Sequence, residues 1–288
     1  MSQTCSYTTQ EMMVSVCSRL IRDYECVFIG VGIPLLAGVV ASKIHAPNSV
    51  IIYEAGGIGA ISRRLPWSIS DNATTDNALV ATELWRALGD VQRGFVDVAV
   101  VGGAQIDRYG NLNTTVIIGP GKSYRNPSNR LPGSGGSNDL ASSAKRTLIV
   151  MRLEKRKFVQ KLDYITSPGF LGGPGDRQKA GLSGGGPEAV ITDKCIFRFN
   201  RETGEMYLDE LFPGVTAEEV RSLVDWNMKA APRLKEVSPP TAEEIGVMHM
   251  IDPMGVVLGS KSRQEAQPFE DYYSTMKSCY ESLKLDLG

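Results

Sequence analysis

The stretch that decides the fold runs from residue 26 to residue 57 and reads CVFIGVGIPLLAGVVASKIHAPNSVIIYEAGG. It contains two short apolar runs, 26–29 and 50–53, separated by the helical pattern of 35–44. Glycines follow both runs, as they do where strands pass into turns. Such alternation of strands and helices predicts an α/β protein with a mostly parallel central sheet.

Further elements are predicted on both sides of this stretch. Capping boxes mark helix starts because they satisfy orphan backbone donors, and unbroken apolar runs are typical of strands buried on both faces. Residues 102–137 form a long segment that is rich in glycine, asparagine, serine and proline. Long loops of this kind are usually functional. The predicted elements are helices opened by Thr8, Thr216 and Thr241, a helix across 79–88, strands at 96–101 and 148–151, and a hairpin at 189–197.

Composition excludes several classes of function. The chain has 288 residues, of which 42% are apolar and 22% charged, with a formal net charge of -1. This balance argues against nucleic acid or an anionic membrane as a partner. The five cysteines form no CxxC pair, which argues against a disulfide framework and against a metal site. The same pattern favours a reducing compartment. No signal-peptide pattern or membrane-length apolar stretch is present in the sequence, so the expectation is a cytoplasmic protein.

Glu54 is the first candidate for chemistry. It is a lone carboxylate at the carboxyl end of an apolar run, and Gly56 follows it closely. Ligands of open parallel sheets collect at the carboxyl ends of strands, and a partly desolvated glutamate can act as a base or as a covalent nucleophile. The alternative is that Glu54 only ends a strand at the surface.

Two glycine clusters are candidates for binding anionic groups through backbone N–H donors. Gly30 and Gly32 follow the first apolar run and open a helix; residue 35 is leucine where a dinucleotide fingerprint has its third glycine, so NAD binding is rejected. The denser cluster is Gly133-Ser134-Gly135-Gly136. Small residues in succession allow backbone N–H groups to converge as an oxyanion hole requires. The alternative for this cluster is a flexible linker.

Several motifs in the same order resemble the beta subunits of family I CoA-transferases, and most closely those of the glutaconate CoA-transferases. The resemblance covers about residues 7–260. The motifs are Glu54 with Gly56, 101–107 (VGGAQID), 109–113 (YGNLN), 133–136 (GSGG), 163–169 (DYITSPG) and 212–216 (FPGVT).

This resemblance implies a fold, a partner and a mechanism. The fold is a three-layer α/β/α sandwich over residues 1–263, followed by an extension at 264–288. The partner is an alpha subunit, in a hetero-oligomer of alpha-beta pairs. The substrates are an acyl-CoA and a short-chain or dicarboxylic acid, with no permanently bound cofactor.

The resemblance also assigns roles to individual residues. The motif glutamate that forms an acyl anhydride and then a glutamyl-CoA thioester matches Glu54, and the oxyanion and CoA-binding loop matches 133–136. Ala55 departs from the serine or asparagine that is frequent in relatives, which affects acceptor preference. The remaining candidate active-site loop residues are Gly30, Gly32, Gly56, Gly102, Gly103, Ala104 and Gln105.

Two alternatives stay open at this point. The first is a CoA-ester hydrolase or lyase on the same scaffold, either a ring-opening carbon–carbon hydrolase or a decarboxylase, with Glu54 as a base. The second is a non-catalytic partner subunit, because one fold can serve both enzymes and binding modules.

Overall fold

The computed structural model describes residues 6–62, 64–69, 71–253, 255–259, 274 and 277. They belong to two compact units, the first drawn from 1–24, 29–87 and 240–288 and the second from 25–28 and 88–239. In chain order the elements are α1 (Thr9–Arg19), β1 (Cys26–Ile29), α2 (Ile33–Ile44), β2 (Val50–Tyr53), β3 (Gly57–Ile58), a short 3-10 helix (Asn72–Thr75), β4 (Val80–Ala81), α3 (Leu84–Gln92), β5 (Val98–Val101), β6 (Gln105–Ile106), β7 (Leu112–Asn113), β8 (Val116–Ile117), β9 (Asn129–Arg130), α4 (Ser137–Ser143), β10 (Arg146–Val150), α5 (Asp176–Lys179), β11 (Pro187–Ile191), β12 (Cys195–Phe199), β13 (Met206–Leu211), α6 (Ala217–Ser222), β14 (Lys229–Glu236) and α7 (Ala242–Ile251).

The second unit is built on a sheet with the strand order β14-β13-β12-β11-β10-β5-β1. Strands β5, β10 and β11 pair in parallel, and so do β13 and β14, whereas β12 is antiparallel to both of its neighbours. Every residue of β5 is buried, as expected for a parallel strand with both faces covered. Helix α4 packs on β5 and β10. The predicted α/β class with a large, mostly parallel sheet is confirmed.

The first unit combines a helical cluster with three short antiparallel strands. Helices α1, α2 and α7 pack on one another, and Arg19 on α1 donates two hydrogen bonds of 2.7 Å to Glu244 on α7. The capping boxes at Thr8 and Thr241 are present as predicted. Strands β2, β3 and β4 pair in sequence as antiparallel neighbours. This arrangement places the residues that follow β2 in a turn between two strands.

Most of the strands predicted from apolar runs are present in the structure, and one predicted helix is partly wrong. Strands β1 and β2 and the β11–β12 hairpin are confirmed. The helix predicted across 79–88 is partly wrong, because Val80 pairs with Ile58 in a strand and the helix begins at Leu84. The predicted loop 102–137 contains four two-residue strands, β6 to β9, and the start of α4.

Two further expectations concern membrane crossing and the chain's end. None of the helices in the described part of the chain has the length and apolarity that crossing a bilayer requires. The predicted extension 264–288 lies outside the described residues apart from 274 and 277, and the boundary at 263 stays a prediction.

Candidate active site

Glu54 lies in the β-turn that connects β2 to β3. The Gly56 backbone N–H donates to the Tyr53 carbonyl at 2.9 Å, so Glu54 and Ala55 are the two central residues of the turn. Ile52 pairs with Ile58 across the hairpin. The sequence correctly predicted a strand that ends at residue 53, and the structure adds that the chain reverses there.

Glycine is required at positions 56 and 57, which follow Glu54 in the chain, because two other backbone segments approach the turn closely. A Cβ atom on Gly56 would lie 2.0 Å from the Thr82 carbonyl oxygen, and one on Gly57 would lie 1.8 Å from the Thr74 carbonyl oxygen. Gly56 also has φ +109°, a conformation that L side chains rarely adopt. The Gly56 carbonyl accepts a hydrogen bond of 3.0 Å from the Thr82 N–H. The turn is therefore packed against the segment that contains β4 and is hydrogen-bonded to it.

The Glu54 side chain is half-buried and faces a small cavity of the first unit. Gly30 and Val31 from the end of β1 line this cavity, together with Pro66 and Ile69. The structure thus places Gly30 and Glu54, two separate candidates of the sequence analysis, in the lining of one cavity. Gly32 caps α2 with φ +94° and has open space where a Cβ would be.

The cavity wall is fixed by an ion pair that the sequence analysis missed. Arg64 donates to both oxygens of Asp71 at 2.6 Å, and the backbone amides of Trp67 and Ala73 donate to the same carboxylate. Burial alone would raise the pKa of Asp71, but the hydrogen bonds from Arg64 and the amides outweigh it and hold that pKa below its ordinary value. A separation of seven residues inside a loop carries no periodic signal, so the pair could not be found from spacing.

A second buried contact supports the strand that precedes Glu54. The Tyr53 hydroxyl lies 3.0 Å from the Ser62 Oγ, and Ser62 donates to the Ala73 carbonyl at 2.6 Å. Burial raises the pKa of the Tyr53 phenol, which keeps it neutral and able to donate. The two contacts tie β2 to the loop that covers the cavity.

In the second unit, the Gly133–Gly136 loop leads into α4. Gly133 has φ +97° and Gly135 has φ +50°, whereas Gly136 has helical angles as the residue that caps α4. The Gly133 N–H donates to the Thr114 carbonyl at 2.9 Å. Within the described part of the chain, the Ser134 and Gly135 N–H groups have no acceptor. Two adjacent N–H donors without acceptors are what an oxyanion hole offers.

The loop at 102–105 lies in the same unit and has a structural role. The Ala104 N–H donates to the Asn113 carbonyl at 3.0 Å. Gln105 is buried, with its Oε1 accepting from the Asn113 side chain at 2.7 Å and its Nε2 donating to Asp163 at 3.4 Å. A Cβ on Gly103 would lie 2.9 Å from Leu112 Cδ2. Gln105 therefore holds neighbouring loops together, while Gly102 is exposed.

The candidate residues divide between the two units. Glu54, Gly30, Gly32 and Gly56 belong to the first unit, and 102–105 with 133–136 belong to the second. Among the described residues, no group of three or more His, Cys, Asp or Glu side chains could hold a metal ion.

Comparison with known proteins adds an independent observation. A family model described as Coenzyme A transferase matches residues 10–223. One subunit of the 3-oxoadipate CoA-transferase from Pseudomonas knackmussii is 39% identical over 86% of this chain and 94% of that protein. The corresponding subunit of the glutaconate CoA-transferase from Acidaminococcus fermentans is 34% identical over 88% of this chain and 96% of that protein.

The structural comparison agrees. A crystal structure of glutaconate coenzyme A-transferase from Acidaminococcus fermentans matches with a TM-score of 0.82 and 33% identity, over 88% of this chain and 98% of that chain. The mitochondrial succinyl-CoA:3-ketoacid coenzyme A transferase 2A of Rattus norvegicus is 26% identical over 72% of this chain and 37% of that protein.

Proposed function

The chain belongs to the coenzyme A transferase family, and we propose that it is the beta-type subunit of a heteromeric CoA-transferase in which Glu54 carries the CoA. The observation that carries this proposal is the placement of Glu54. It is a half-buried carboxylate at the tip of a turn whose backbone is fixed by the close approach of Thr82 and Thr74. A nucleophile on a fixed backbone can be held in line with a thioester carbonyl, and such positioning can supply a large part of the rate of covalent catalysis.

The proposed reaction proceeds in two matched halves. A Glu54 carboxylate oxygen attacks the thioester carbonyl, the carbon–sulfur bond breaks, and CoA leaves as a thiolate while an acyl-glutamyl anhydride forms. The thiolate then attacks the glutamyl carbonyl, which releases the donor acid as a carboxylate and leaves a Glu54–CoA thioester. An incoming carboxylate takes the CoA by the same steps in reverse, so charge and atoms balance without an added proton or electron.

The oxyanion of each tetrahedral intermediate needs donors, and we assign these to the Gly133–Gly136 loop. Its Ser134 and Gly135 N–H groups lack acceptors within the described part of the chain. Loss of one such donor typically costs about 3–4 kcal/mol of transition-state stabilisation.

The acid that the enzyme uses is proposed to be a short dicarboxylic acid. The relatives at 39% and 34% identity are named for 3-oxoadipate and glutaconate, which are both dicarboxylates. Ala55, beside the nucleophile, has a methyl group and no hydrogen-bond donor, so a polar group of the acceptor must be bound elsewhere.

The partner is proposed to be a separate alpha-type subunit. The same two relatives are each named as one subunit of their enzyme, and the rat enzyme is a longer chain of which this chain matches 37%. In the first unit, the run from Leu79 to Trp85 exposes four large apolar side chains on the edge strand β4 and the start of α3, with Leu79 77% and Trp85 67% exposed. Clustered exposure of this kind is typical of protein interfaces.

The test uses the chain co-expressed with an alpha-type subunit. Intact-mass analysis after addition of acyl-CoA without acceptor should reveal a CoA adduct on this chain. The adduct and CoA exchange between labelled dicarboxylates should disappear in Glu54→Gln and persist in Glu202→Gln, a matched change at an exposed loop glutamate. An adduct that maps to a cysteine, or acyl-CoA consumption that releases a carbon fragment without CoA exchange, would overturn the proposal.

A further inference from the structure

A basic arm projects from the second unit next to the glycine loop. We define the basic arm as residues 118–130, the segment that links β8 to β9 together with β9. It contains Lys122, Arg125 and Arg130, and no acidic residue lies between Asp107 and Asp139. In a chain whose formal net charge is -1, this is a local concentration of positive charge on one exposed segment.

The arm is ordered by its own hydrogen bonds and presents an aromatic side chain at its tip. Asn126 N–H donates to the Ser123 carbonyl at 3.1 Å, which closes a turn with Tyr124 and Arg125 at its centre. The Arg130 guanidinium lies 4.4 Å from the centre of the Tyr124 ring and donates to the Tyr124 carbonyl. This contact fixes the ring, since a cation over an aromatic face is attracted to it.

A second aromatic ring faces the tip from another segment. Tyr164 lies 5.9 Å from Tyr124 between ring centres, with 34° between the ring planes. Both rings remain open to solvent, with Tyr124 48% and Tyr164 43% exposed. Two tyrosines held together yet half-exposed form a surface on which a planar group can stack.

The charges at the tip are not neutralised by the protein. In the part of the chain that the structure describes, the Lys122 and Arg125 side chains make no hydrogen bond or ion pair. The nearby Asp163 carboxylate is engaged by the Ile118 N–H at 3.2 Å and by Gln105. Unpaired basic side chains beside a stacking surface favour a ligand that combines an aromatic base with phosphates.

We propose that the basic arm and Tyr164 bind the nucleotide end of CoA, with the adenine on the tyrosine pair and the phosphates at Lys122 and Arg125. This inference rests on the proposed function, which supplies CoA as the substrate. The arm continues through Leu131 and Pro132 into the Gly133–Gly136 loop, so one continuous segment of the second unit would hold both the nucleotide end and the thioester oxyanion.

The test compares full-length and truncated thioesters in the assembled enzyme. In Tyr124→Leu the KM for acyl-CoA should rise about tenfold, which corresponds to ~1.4 kcal/mol, with kcat unchanged. Tyr124→Phe should keep the ordinary KM because the ring remains. Neither variant should change kcat/KM for the matching acyl-pantetheine, which lacks the nucleotide.

Arg125→Gln tests the phosphate contact, with Arg201→Gln as the control at an exposed arginine of the same unit. Equilibrium binding of CoA should weaken about fivefold in Arg125→Gln and stay unchanged in Arg201→Gln. Dephospho-CoA in the same titration identifies whether the 3′-phosphate or the diphosphate is contacted.

Two results would overturn the inference. The first is an equal loss with acyl-CoA and acyl-pantetheine. The second is weaker association with the alpha-type subunit at an unchanged KM, which would make the arm a docking surface. Failure of the proposed function is distinguishable, because it would appear as absent CoA exchange and adduct in the unmodified enzyme.

Discussion

Replacement of Gly56 by alanine tests whether the turn that presents Glu54 is held by close backbone packing. The added Cβ would lie 2.0 Å from the Thr82 carbonyl oxygen and 2.5 Å from its carbon, so the backbone must move by more than about 1 Å to reach an ordinary contact of about 3.4 Å. Overpacking costs about 1–3 kcal/mol, and a strained φ adds about 1–3 kcal/mol. The expected loss of folding free energy is the sum of the two costs, roughly 2–6 kcal/mol.

Gly94→Ala is the matched control for this change. Gly94 has φ +82° but no atom within 4 Å of its Cβ position, so alanine there incurs only the conformational cost. With about 2–4 °C per kcal/mol for a chain of this size, Gly56→Ala should lower the Tm of the complex by roughly 4–24 °C, and Gly94→Ala by about half as much.

Turnover separates a local effect from a global one. Because a displacement of about 1 Å in the nucleophile can cost ~100-fold in rate, kcat of Gly56→Ala, measured well below its Tm, should fall by about that factor. Gly94→Ala should keep its kcat. Equal Tm shifts in the two variants, or full turnover in Gly56→Ala, would refute the reasoning that close packing behind the turn positions Glu54.

Three further outcomes are expected. The Asp71 pKa is held below its ordinary value, so the stabilisation from its pair with Arg64 is present above the ordinary pKa of about 3.9 and is lost as pH falls. Asp71→Asn breaks this buried pair, and the free energy of unfolding near pH 7 should therefore drop by ~3–5 kcal/mol. The dependence of that free energy on acid pH should also flatten in the variant. Thr241→Ala removes the capping box of α7 and should cost ~1 kcal/mol, measured by urea unfolding. Burial raises the pKa of the Cys195 thiol to about 12, so iodoacetamide at about pH 8, below the ordinary thiol pKa, should leave it unmodified in native protein and alkylate it in urea, as peptide mapping would show.

Patterns of unbroken apolar residues predicted the strands that form the framework. β1 and β2 occupy the predicted positions, because a strand buried on both faces needs continuous apolar sequence whatever it pairs with. The Val80–Ala81 strand was predicted as part of a helix, since its apolar residues fit either period and only pairing with β3 decides between them. Long-range pairing also explains the two-residue strands β6 to β9, which are too short to carry any periodicity.

Contacts between distant segments also decide the roles of the candidate residues, and local sequence does not reveal them. Glu54 could be singled out because a lone carboxylate after an apolar run is unusual, and Gln105 was grouped with the candidate loops by resemblance. The structure gives Gln105 a buried hydrogen-bonding role with Asn113 and Asp163. Neither its partners nor the Arg64–Asp71 pair leaves a mark in local sequence, because both depend on where distant loops meet.

Glycines serve the two halves of the proposed chemistry in different ways. Gly56 and Gly57 are needed because neighbouring backbone leaves no room for a Cβ, so they allow the turn that carries Glu54 to pack against the Thr82 and Thr74 backbones. Gly133 has positive φ and open space around it, so it sets the path of a loop whose next N–H groups stay free. In the proposed reaction, Gly56 and Gly57 would hold the backbone that carries the attacking oxygen, and Gly133 would keep donors available for an oxyanion that exists only during reaction. A rigid nucleophile and an unobstructed donor loop are complementary requirements, because transition-state stabilisation depends on both positioning and preorganised hydrogen bonds.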